Sequence, residues 1–263
     1  MPAPDTVVLL HGLWMTPLSW SEWSARGQER GFRVLTPAYP RMDHSIEDLR
    51  ADPSLVAGLG IAEIADHYAE FIRNLDRPPI VMGHSLGGLL TQKMLDRGLG
   101  AAGVAIHPGQ TRGVHGIPLN QLRSAWPVLR NPFNYRKGVP LTPEQFHFAF
   151  AGALSEDESR RAWETFQVPA PGRPVFQAAL GNFAPRAATR VDFRKPDRAP
   201  LLMIAGGADR IVPASVVREN VRRYRTGIVE YREFPGRSHF TVGEPGWEAV
   251  LDTALDWAVA HAG

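Results

Sequence analysis

The sequence predicts an α/β fold, built on a mostly parallel sheet of about six strands with helices on both faces and a helical insertion. Two observations favour this class. Short apolar runs alternate with segments of helical period, which is typical of parallel strands that are buried on both faces. The stretch between residues 106 and 201 contains no convincing buried strand and carries helix-start signals instead.

Six apolar runs of strand length provide the sheet. The first run, TVVLL, ends at His11-Gly12, and the third follows the pair Pro78-Pro79, which stops the preceding helix. The predicted strands are residues 6–10, 32–35, 80–82, 101–106, 201–205 and 228–234. Right-handed crossovers between consecutive strands then determine most of the topology.

Helical segments separate these strands. The clearest one has apolar residues at positions 61, 64, 65, 68, 71, 72 and 75, which is the period of an amphipathic helix. Gly98 is a plausible stop for the helix that follows the third strand. The predicted helices of the main body are residues 17–30, 61–75, 86–97, 213–224 and 247–261.

The insertion is predicted to be a helical cap of residues 115–190, carried by a core of residues 1–114 and 191–263. Thr142 and Ser155 each begin a capping-box pattern, with Gln145 and Glu158 three residues later. The segment holds 10 of the chain's 24 aromatic residues, which serve either as packing anchors or as pocket lining.

One helix of this insertion is expected to be apolar on two sides. Phe146, Phe148 and Phe150 cannot share one helix face, because residues two apart point in different directions. We therefore expect the helix to lie between the main body and a cavity, with Phe146 and Phe150 as substrate-binding residues. Ordinary packing is the alternative for both.

Composition excludes several classes of site. The chain has 263 residues and no cysteine, so disulfides, thiolate metal sites and a cysteine nucleophile are excluded. Its 29 basic and 27 acidic residues are almost balanced, and no group of basic segments indicates a nucleic-acid partner. No H-E-x-x-H and no P-loop is found, and no G-x-G-x-x-G opens a helix after the first strand, so we expect neither a metal nor a cofactor.

Targeting signals are also missing from the sequence. The N-terminal segment has no basic region before its apolar run, and that run has the length of a strand. No stretch approaches the ~20 apolar residues of a spanning helix. We therefore expect a cytoplasmic protein without a membrane partner.

The strongest chemical signal is GHSLGG at residues 83–88, which contains G-x-S-x-G directly after a strand and directly before a helix. A serine in such a sharp turn requires small neighbours, and Gly83 and Gly87 meet that need. The turn exposes the Ser85 hydroxyl at the carboxyl end of the sheet. Ser85 is therefore the candidate nucleophile.

A serine nucleophile requires a base, and the base requires an orienting carboxylate. His239 lies in the loop after the last strand, and Asp209 follows the fifth strand, so both side chains belong to the same sheet edge as Ser85. His107, at the end of the fourth strand, is a weaker candidate for a direct role. A helix N-cap is the alternative for Asp209.

Two backbone N–H groups are expected to stabilise an oxyanion. One belongs to Leu86, after the serine, and the other to Leu13, after the first strand, with Trp14 as second choice. The Trp14 side chain is expected either to line the acyl pocket or to pack in the ordinary way. His84, next to the nucleophile, is included among the substrate-binding candidates.

These motifs resemble the α/β-hydrolase superfamily, in the serine branch with an inserted helical cap. The resemblance rests on HGLW at 11–14, GHSLGG at 83–88, GGADRIVP at 206–213 and GRSHF at 236–240. It covers nearly the whole chain and implies the α/β-hydrolase fold with Ser85, Asp209 and His239 as triad. It says little about the substrate.

The chain departs from the superfamily pattern in two places. The first strand begins at about residue 6, which leaves no room for the two N-terminal strands of most relatives. Residues 41–60 replace the short loop that usually follows the second strand, and their role is open.

The resemblance implies a cofactor-independent hydrolase that cleaves carboxylic esters of small, largely apolar substrates through an acyl-enzyme on Ser85. The same triad also serves lactonases, thioesterases, C–C bond hydrolases and acyl-transfer or cyclisation enzymes. A non-hydrolytic small-molecule receptor is a further alternative. The acid and alcohol parts of the substrate and the oligomeric state are not determined by the sequence.

Overall fold

The computed structural model describes residues 4–262, and its centre is one sheet of six parallel strands. The sheet strands are β1 Thr6–Leu10, β2 Arg33–Leu35, β3 Ile80–His84, β4 Ala102–Ile106, β7 Leu201–Gly206 and β8 Val229–Phe234. Their spatial order is β2-β1-β3-β4-β7-β8, and every neighbouring pair is parallel. The predicted fold class and strand number are confirmed.

Ten α-helices are found within the described residues. They are α1 Ser21–Glu29, α2 Ile46–Ala51, α3 Ile61–Arg73, α4 Leu86–Asp96, α5 Leu119–Leu129, α6 Pro143–Ala149, α7 Glu156–Phe166, α8 Arg173–Ala179, α9 Ala214–Arg223 and α10 Trp247–His261. None of the helices between residues 4 and 262 is long and apolar enough to cross a membrane.

Helices cover both faces of the sheet, and strand β7 shows this most directly. Leu202 and Ile204 belong to the larger apolar core, whereas Leu201, Met203 and Ala205 belong to a second core that includes residues of α9. Successive side chains of a strand point to opposite faces, so each face of β7 is packed. The near-continuous apolar runs of the central strands follow from this double burial.

The segment between β4 and β7 contains α5 to α8, as the helix-start signals predict. Both capping boxes are formed, with the Thr142 side chain accepting from the Gln145 N–H and Ser155 from the Glu158 N–H. A two-stranded antiparallel pair, β5 Gly138–Val139 and β6 Ala170–Pro171, was not predicted. Two residues per strand are too few to produce a recognisable alternation.

Residues 41–60, whose role the sequence left open, contain α2 and connect to the inserted segment. Ser45 caps α2 by accepting from the Asp48 N–H. The Arg50 guanidinium donates to three carbonyls at the end of α7, those of Trp163, Glu164 and Gln167. A cation at a helix C-terminus satisfies carbonyls that have no partner within the helix.

The crossing between β1, β3 and α4 depends on glycine. A Cβ at position 83 would lie 2.2 Å from the Gly87 carbonyl oxygen, and a Cβ at position 87 would lie 2.0 Å from the Leu10 carbonyl oxygen. Real Cβ atoms do not approach backbone atoms this closely, so helix and strands can meet only where the side chain is a hydrogen. The requirement for small residues at Gly83 and Gly87 is confirmed.

His11, at the end of β1, is fully buried and stacks on the Tyr39 ring at a centroid distance of 3.9 Å. Its Nδ1 donates to the Gly12 carbonyl at 2.9 Å, and the Tyr39 hydroxyl donates to the His11 carbonyl at 2.8 Å. Burial lowers the pKa of His11 to about 4, against a hydrogen bond that raises it. Folding therefore keeps this imidazole neutral.

The glycine contacts predict that Gly87→Ala is strongly destabilising. The added Cβ meets backbone atoms that cannot move aside, so we expect a loss of about 3 kcal/mol or more in the free energy of unfolding. That loss corresponds to a fall of roughly 10 °C in Tm. The matched control is Gly109→Ala, whose nearest neighbour would lie at an ordinary 3.5 Å. Equal Tm values for the two variants would contradict the packing argument.

Burial of His11 predicts acid destabilisation. In the unfolded chain a histidine takes up its proton near pH 6.5, whereas folded His11 does so only near pH 4. The stabilising contribution is therefore complete above pH 6.5 and is lost as the pH falls toward 4. We expect wild type to lose about 2–3 kcal/mol more than His11→Phe over this range, because the variant keeps the ring but cannot titrate.

Urea unfolding at a series of pH values measures this difference. The control is His67→Phe, which removes a partly exposed histidine. Its free energy of unfolding should change with pH as that of the wild type does. A His11→Phe curve parallel to wild type would contradict the assignment.

Candidate active site

The carboxyl ends of the central strands bring together the three residues with the strongest sequence signals. Ser85 joins β3 to α4, Asp209 follows β7, and His239 follows β8. All three are buried, with exposed fractions of 8%, 5% and 0%. Parallel strands end at one edge of a sheet, which explains how residues more than a hundred positions apart meet there.

Ser85 occupies a strained turn. Its φ of 56° and ψ of −118° lie in a region that non-glycine residues rarely adopt. The Ser85 N–H donates to the Ile106 carbonyl, and the Ser85 carbonyl accepts from the N–H groups of Gly88 and Gly109. These bonds to β4 and to the next helical turn maintain the strain, and such strain is typical of functional sites.

His239 is held by Asp209. The His239 Nδ1 donates to Asp209 Oδ2 at 2.7 Å, which assigns the proton to Nδ1 and leaves Nε2 as the basic nitrogen. Asp209 Oδ1 accepts from the N–H groups of Ile211 and Val212, both at 2.8 Å. Burial alone would raise the pKa of Asp209, but the imidazoles of His239 and His107 hold it far below its usual value. The carboxyl is therefore ionised.

The contact between serine and histidine is not formed in this structure. Neither Ser85 Oγ nor His239 Nε2 has a hydrogen-bond partner among residues 4–262, and the histidine nitrogen is buried. Catalytic hydrogen bonds are often long without substrate and tighten in the complex. The structure thus pairs His239 with Asp209 and places Ser85 at the same edge of the sheet, without a hydrogen bond between serine and histidine.

A cavity of about 310 Å³ opens beside Ser85. Leu13 and Leu86 line it together with the serine, and helices α5 and α8 contribute residues such as Leu122, Ala125, Val175 and Ala178. None of the described residues that line it carries a charge. The cavity therefore accommodates an uncharged, largely apolar molecule in contact with the serine.

Trp14 lines this cavity as well and connects it to the inserted segment. Its φ of 63° is rare for a bulky residue. The indole N–H donates to the Val139 carbonyl at 2.9 Å, and the Trp14 carbonyl accepts from the Val168 N–H at 3.0 Å. Bonds to both sides of the β5–β6 region therefore fix the ring in its position at the cavity wall.

Three residues expected to bind substrate lie elsewhere. Phe146, Phe150 and His84 are absent from the cavity lining. The two phenylalanine rings stack at 5.0 Å, and the edge of Phe150 contacts the His239 ring, also at 5.0 Å. Helix α6 packs against the His239 loop, and a substrate-binding role for these three residues stays a prediction.

Phe150 and His84 instead hold that loop in place. The Phe150 carbonyl accepts from the Ser238 hydroxyl at 2.6 Å and from the Phe240 N–H at 2.9 Å. His84 Nε2 donates to the His239 carbonyl at 2.7 Å. Burial, then the neighbouring imidazoles, lower the pKa of His84 well below its usual value, so it remains neutral.

Phe148, on another side of the same helix, lies beside basic side chains. Phe148 lies between two guanidinium groups, with Arg123 3.9 Å and Arg210 4.9 Å from the ring centroid. These are cation–π contacts, so this side of α6 faces basic side chains and not a cavity. The spacing of the aromatic residues could not distinguish the two environments.

His107, a weak candidate from sequence, lies within the site. Its Nδ1 donates to Asp209 Oδ2 at 2.7 Å, the same oxygen that accepts from His239. Its position at the end of β4 was the only sequence signal for this contact. The contact itself depends on the backbone turn after the strand, which the sequence does not reveal.

One imidazole nitrogen from each of His84, His107 and His239 lies within 4.8 Å of the other two, a spacing that raises the question of a metal. Zinc–nitrogen bonds of about 2.0–2.1 Å would bring tetrahedral ligands to about 3.4 Å from each other. Here one nitrogen of each ring donates to Asp209 or to the His239 carbonyl, and the other nitrogen of each ring has no hydrogen-bond partner among residues 4–262. The cluster surrounds the Asp209 carboxylate and the imidazole that it orients.

Comparison with known proteins identifies relatives of this chain. A curated relative, the monoacylglycerol lipase of Mycolicibacterium smegmatis, is 28% identical over 196 residues, which are 70% of this chain and 63% of that protein. The match thus spans about 63% of the relative's length.

Solved structures share the fold at lower identity. The monoacylglycerol lipase of Paleococcus ferrophilus superposes with a TM-score of 0.67 at 20% identity, covering 98% of this chain and 96% of that one. A pyrethroid hydrolase from Sphingobium faniae JZ-2 gives 0.65 at 17% identity and covers 98% of each chain. Residues 7–253 match the alpha/beta hydrolase family, and with the sheet and the serine turn described above this shows that the chain belongs to that family.

Proposed function

We propose that this protein hydrolyses carboxylic esters of small, largely apolar substrates through a Ser85–His239–Asp209 triad. The observation that carries the proposal is the position of Ser85, strained at the end of β3 and facing an uncharged cavity. A histidine oriented by an ionised carboxylate lies at the same sheet edge. The names of the relatives, a monoacylglycerol lipase and a pyrethroid hydrolase, are consistent with this reaction class.

The first half of the reaction forms an acyl-enzyme. Ser85 Oγ attacks the ester carbonyl carbon while its proton passes to His239 Nε2. Asp209 keeps the imidazole oriented and stabilises the positive charge that it gains. The C–O bond then breaks, and the leaving alcohol takes the proton from His239.

The second half releases the acid. Water attacks the acyl carbon, gives a proton to His239 Nε2, and the proton returns to Ser85 Oγ as the acyl–enzyme bond breaks. Both halves pass through an oxyanion, which we assign to the N–H groups of Leu86 and Leu13 beside the serine. Leu86 is the first residue of α4, so the positive end of the helix dipole faces the same oxygen.

Residues 115–190 act in this proposal as a cap over a core of residues 1–114 and 191–263. Helices α5 and α8 line the cavity together with Ser85, so they determine the shape of the acyl or alcohol pocket. The main-body residues supply the nucleophile, the base and the carboxylate.

The assignment of Ser85 predicts a single covalent adduct with a fluorophosphonate probe. Ser85 Oγ displaces fluoride, so intact-mass analysis should show one adduct on wild type and none on Ser85→Ala. Ser124→Ala is the matched control, because Ser124 is another cavity-lining serine whose hydroxyl already donates to the Asn120 carbonyl. An adduct that persists in Ser85→Ala would contradict the proposal.

The cavity wall predicts a change in chain-length preference. In Ala178→Phe the new ring occupies cavity space, so the kcat/KM ratio for p-nitrophenyl octanoate over acetate should fall about tenfold, equivalent to losing roughly two buried methylenes. Ala249→Phe, on the exposed side of α10, should leave the ratio unchanged. Equal losses on both esters in Ala178→Phe would contradict a pocket role.

A further inference from the structure

Asp209 accepts hydrogen bonds from two imidazoles at once. The Nδ1 atoms of His107 and His239 both lie 2.7 Å from Oδ2, while Oδ1 accepts from two backbone N–H groups. All four acceptor positions of the carboxylate are therefore used. The proposed mechanism requires only one of the two imidazoles, and His107 has no part in it.

The chain is built closely around the second imidazole. His107 has φ 47°, in the left-handed region, and its N–H donates to the Ile204 carbonyl at 2.7 Å. A Cβ at position 206 would lie 2.4 Å from His107 Cε1, so Gly206 leaves the space that the ring occupies. A strained backbone and a reserved space next to the site are unusual for a residue that only fills volume.

We propose that His107 is a positioning residue that shares the Asp209 carboxylate with His239 and thereby extends the activity of the base to lower pH. This inference rests on the proposed triad. His107 is not among the residues that line the cavity, and its Nδ1 bonds to Asp209, so it acts through that carboxylate.

The two hydrogen bonds to Asp209 Oδ2 determine in which direction His107 changes the pH range of the base. Burial lowers the pKa of His107 in spite of the Asp209 carboxylate, so the ring remains a neutral donor with its proton on Nδ1. A second N–H on Oδ2 reduces the negative potential that His239 experiences there. A protonated His239 is then less stabilised, and the neutral, basic form persists to lower pH.

The other ionisable groups around His239 do not supply this effect. His84 is a neutral donor to the backbone carbonyl of His239 and not to Asp209, so it does not compete for the oxygen that orients the base. Glu244 is buried, and its carboxylate accepts from the Ser238 N–H and lies 3.5 Å from Arg237 Nε. Among the described residues, only His107 competes directly for the oxygen that orients the base.

The test is the pH dependence of Ser85 phosphonylation by the fluorophosphonate probe in wild type, His107→Leu and His107→Asn. Leucine removes the donor, so the acid limb of the rate profile should move up by about half to one pH unit. Asparagine keeps a donor close to the Nδ1 position and tolerates a positive φ, so its profile should stay near wild type. Because this readout needs no ester, failure to hydrolyse esters would not affect it.

A merely structural role for His107 would lower stability or the plateau rate without moving the acid limb. An unshifted limb in His107→Leu would therefore overturn the proposal, and so would equal shifts in both variants.

A second measurement does not depend on the leucine variant folding or on Ser85 reacting. Proton spectra of wild type should contain two far-downfield imidazole N–H resonances, one from each histidine bonded to Asp209. His107→Asn should lose one and keep the other. A single resonance in wild type would overturn the sharing of Asp209, whereas failure of Ser85 to label would overturn the triad instead.

Discussion

The buried carboxylate of Asp209 is the interaction on which the site depends. A carboxylate removed from water is stable only if its oxygens are fully hydrogen-bonded, and here four N–H groups surround it. They come from the end of β4, the loop after β7 and the loop after β8, so the ion joins three segments that are remote in sequence. Loss of this charge would release all three segments together.

The histidines around Asp209 are neutral for a related reason, since burial also disfavours their charged forms. His11, His84 and His107 are all buried, and desolvation lowers the pKa of each, so these three imidazoles add no positive charge beside the Asp209 carboxylate. This balance suits a reaction in which the base becomes positive only transiently. It also makes the fold sensitive to acid, because each buried imidazole resists protonation.

Much of this arrangement could be predicted from the sequence, because it depends on local patterns. Ser85, Asp209 and His239 follow strands that apolar runs reveal, and the need for Gly83 and Gly87 follows from the geometry of the turn. The environments of Phe146 and Phe150 could not be predicted. Aromatic spacing shows that a helix is buried but not whether its neighbour is a loop or a cavity, and here the neighbour is the His239 loop.

The position of His107 could be predicted from the sequence, but its contact with Asp209 could not. The sequence places it at the end of a strand, but its hydrogen bond depends on a left-handed backbone turn and on the absence of a side chain at Gly206. Neither feature produces a periodic pattern in the sequence. During the proposed reaction the developing charges are an imidazolium at His239 and an oxyanion beside Leu86, with Asp209 as the fixed counter-charge. A carboxylate already held by four donors has little freedom to reorient as those charges form, and this preorganisation stabilises the transition state without further rearrangement.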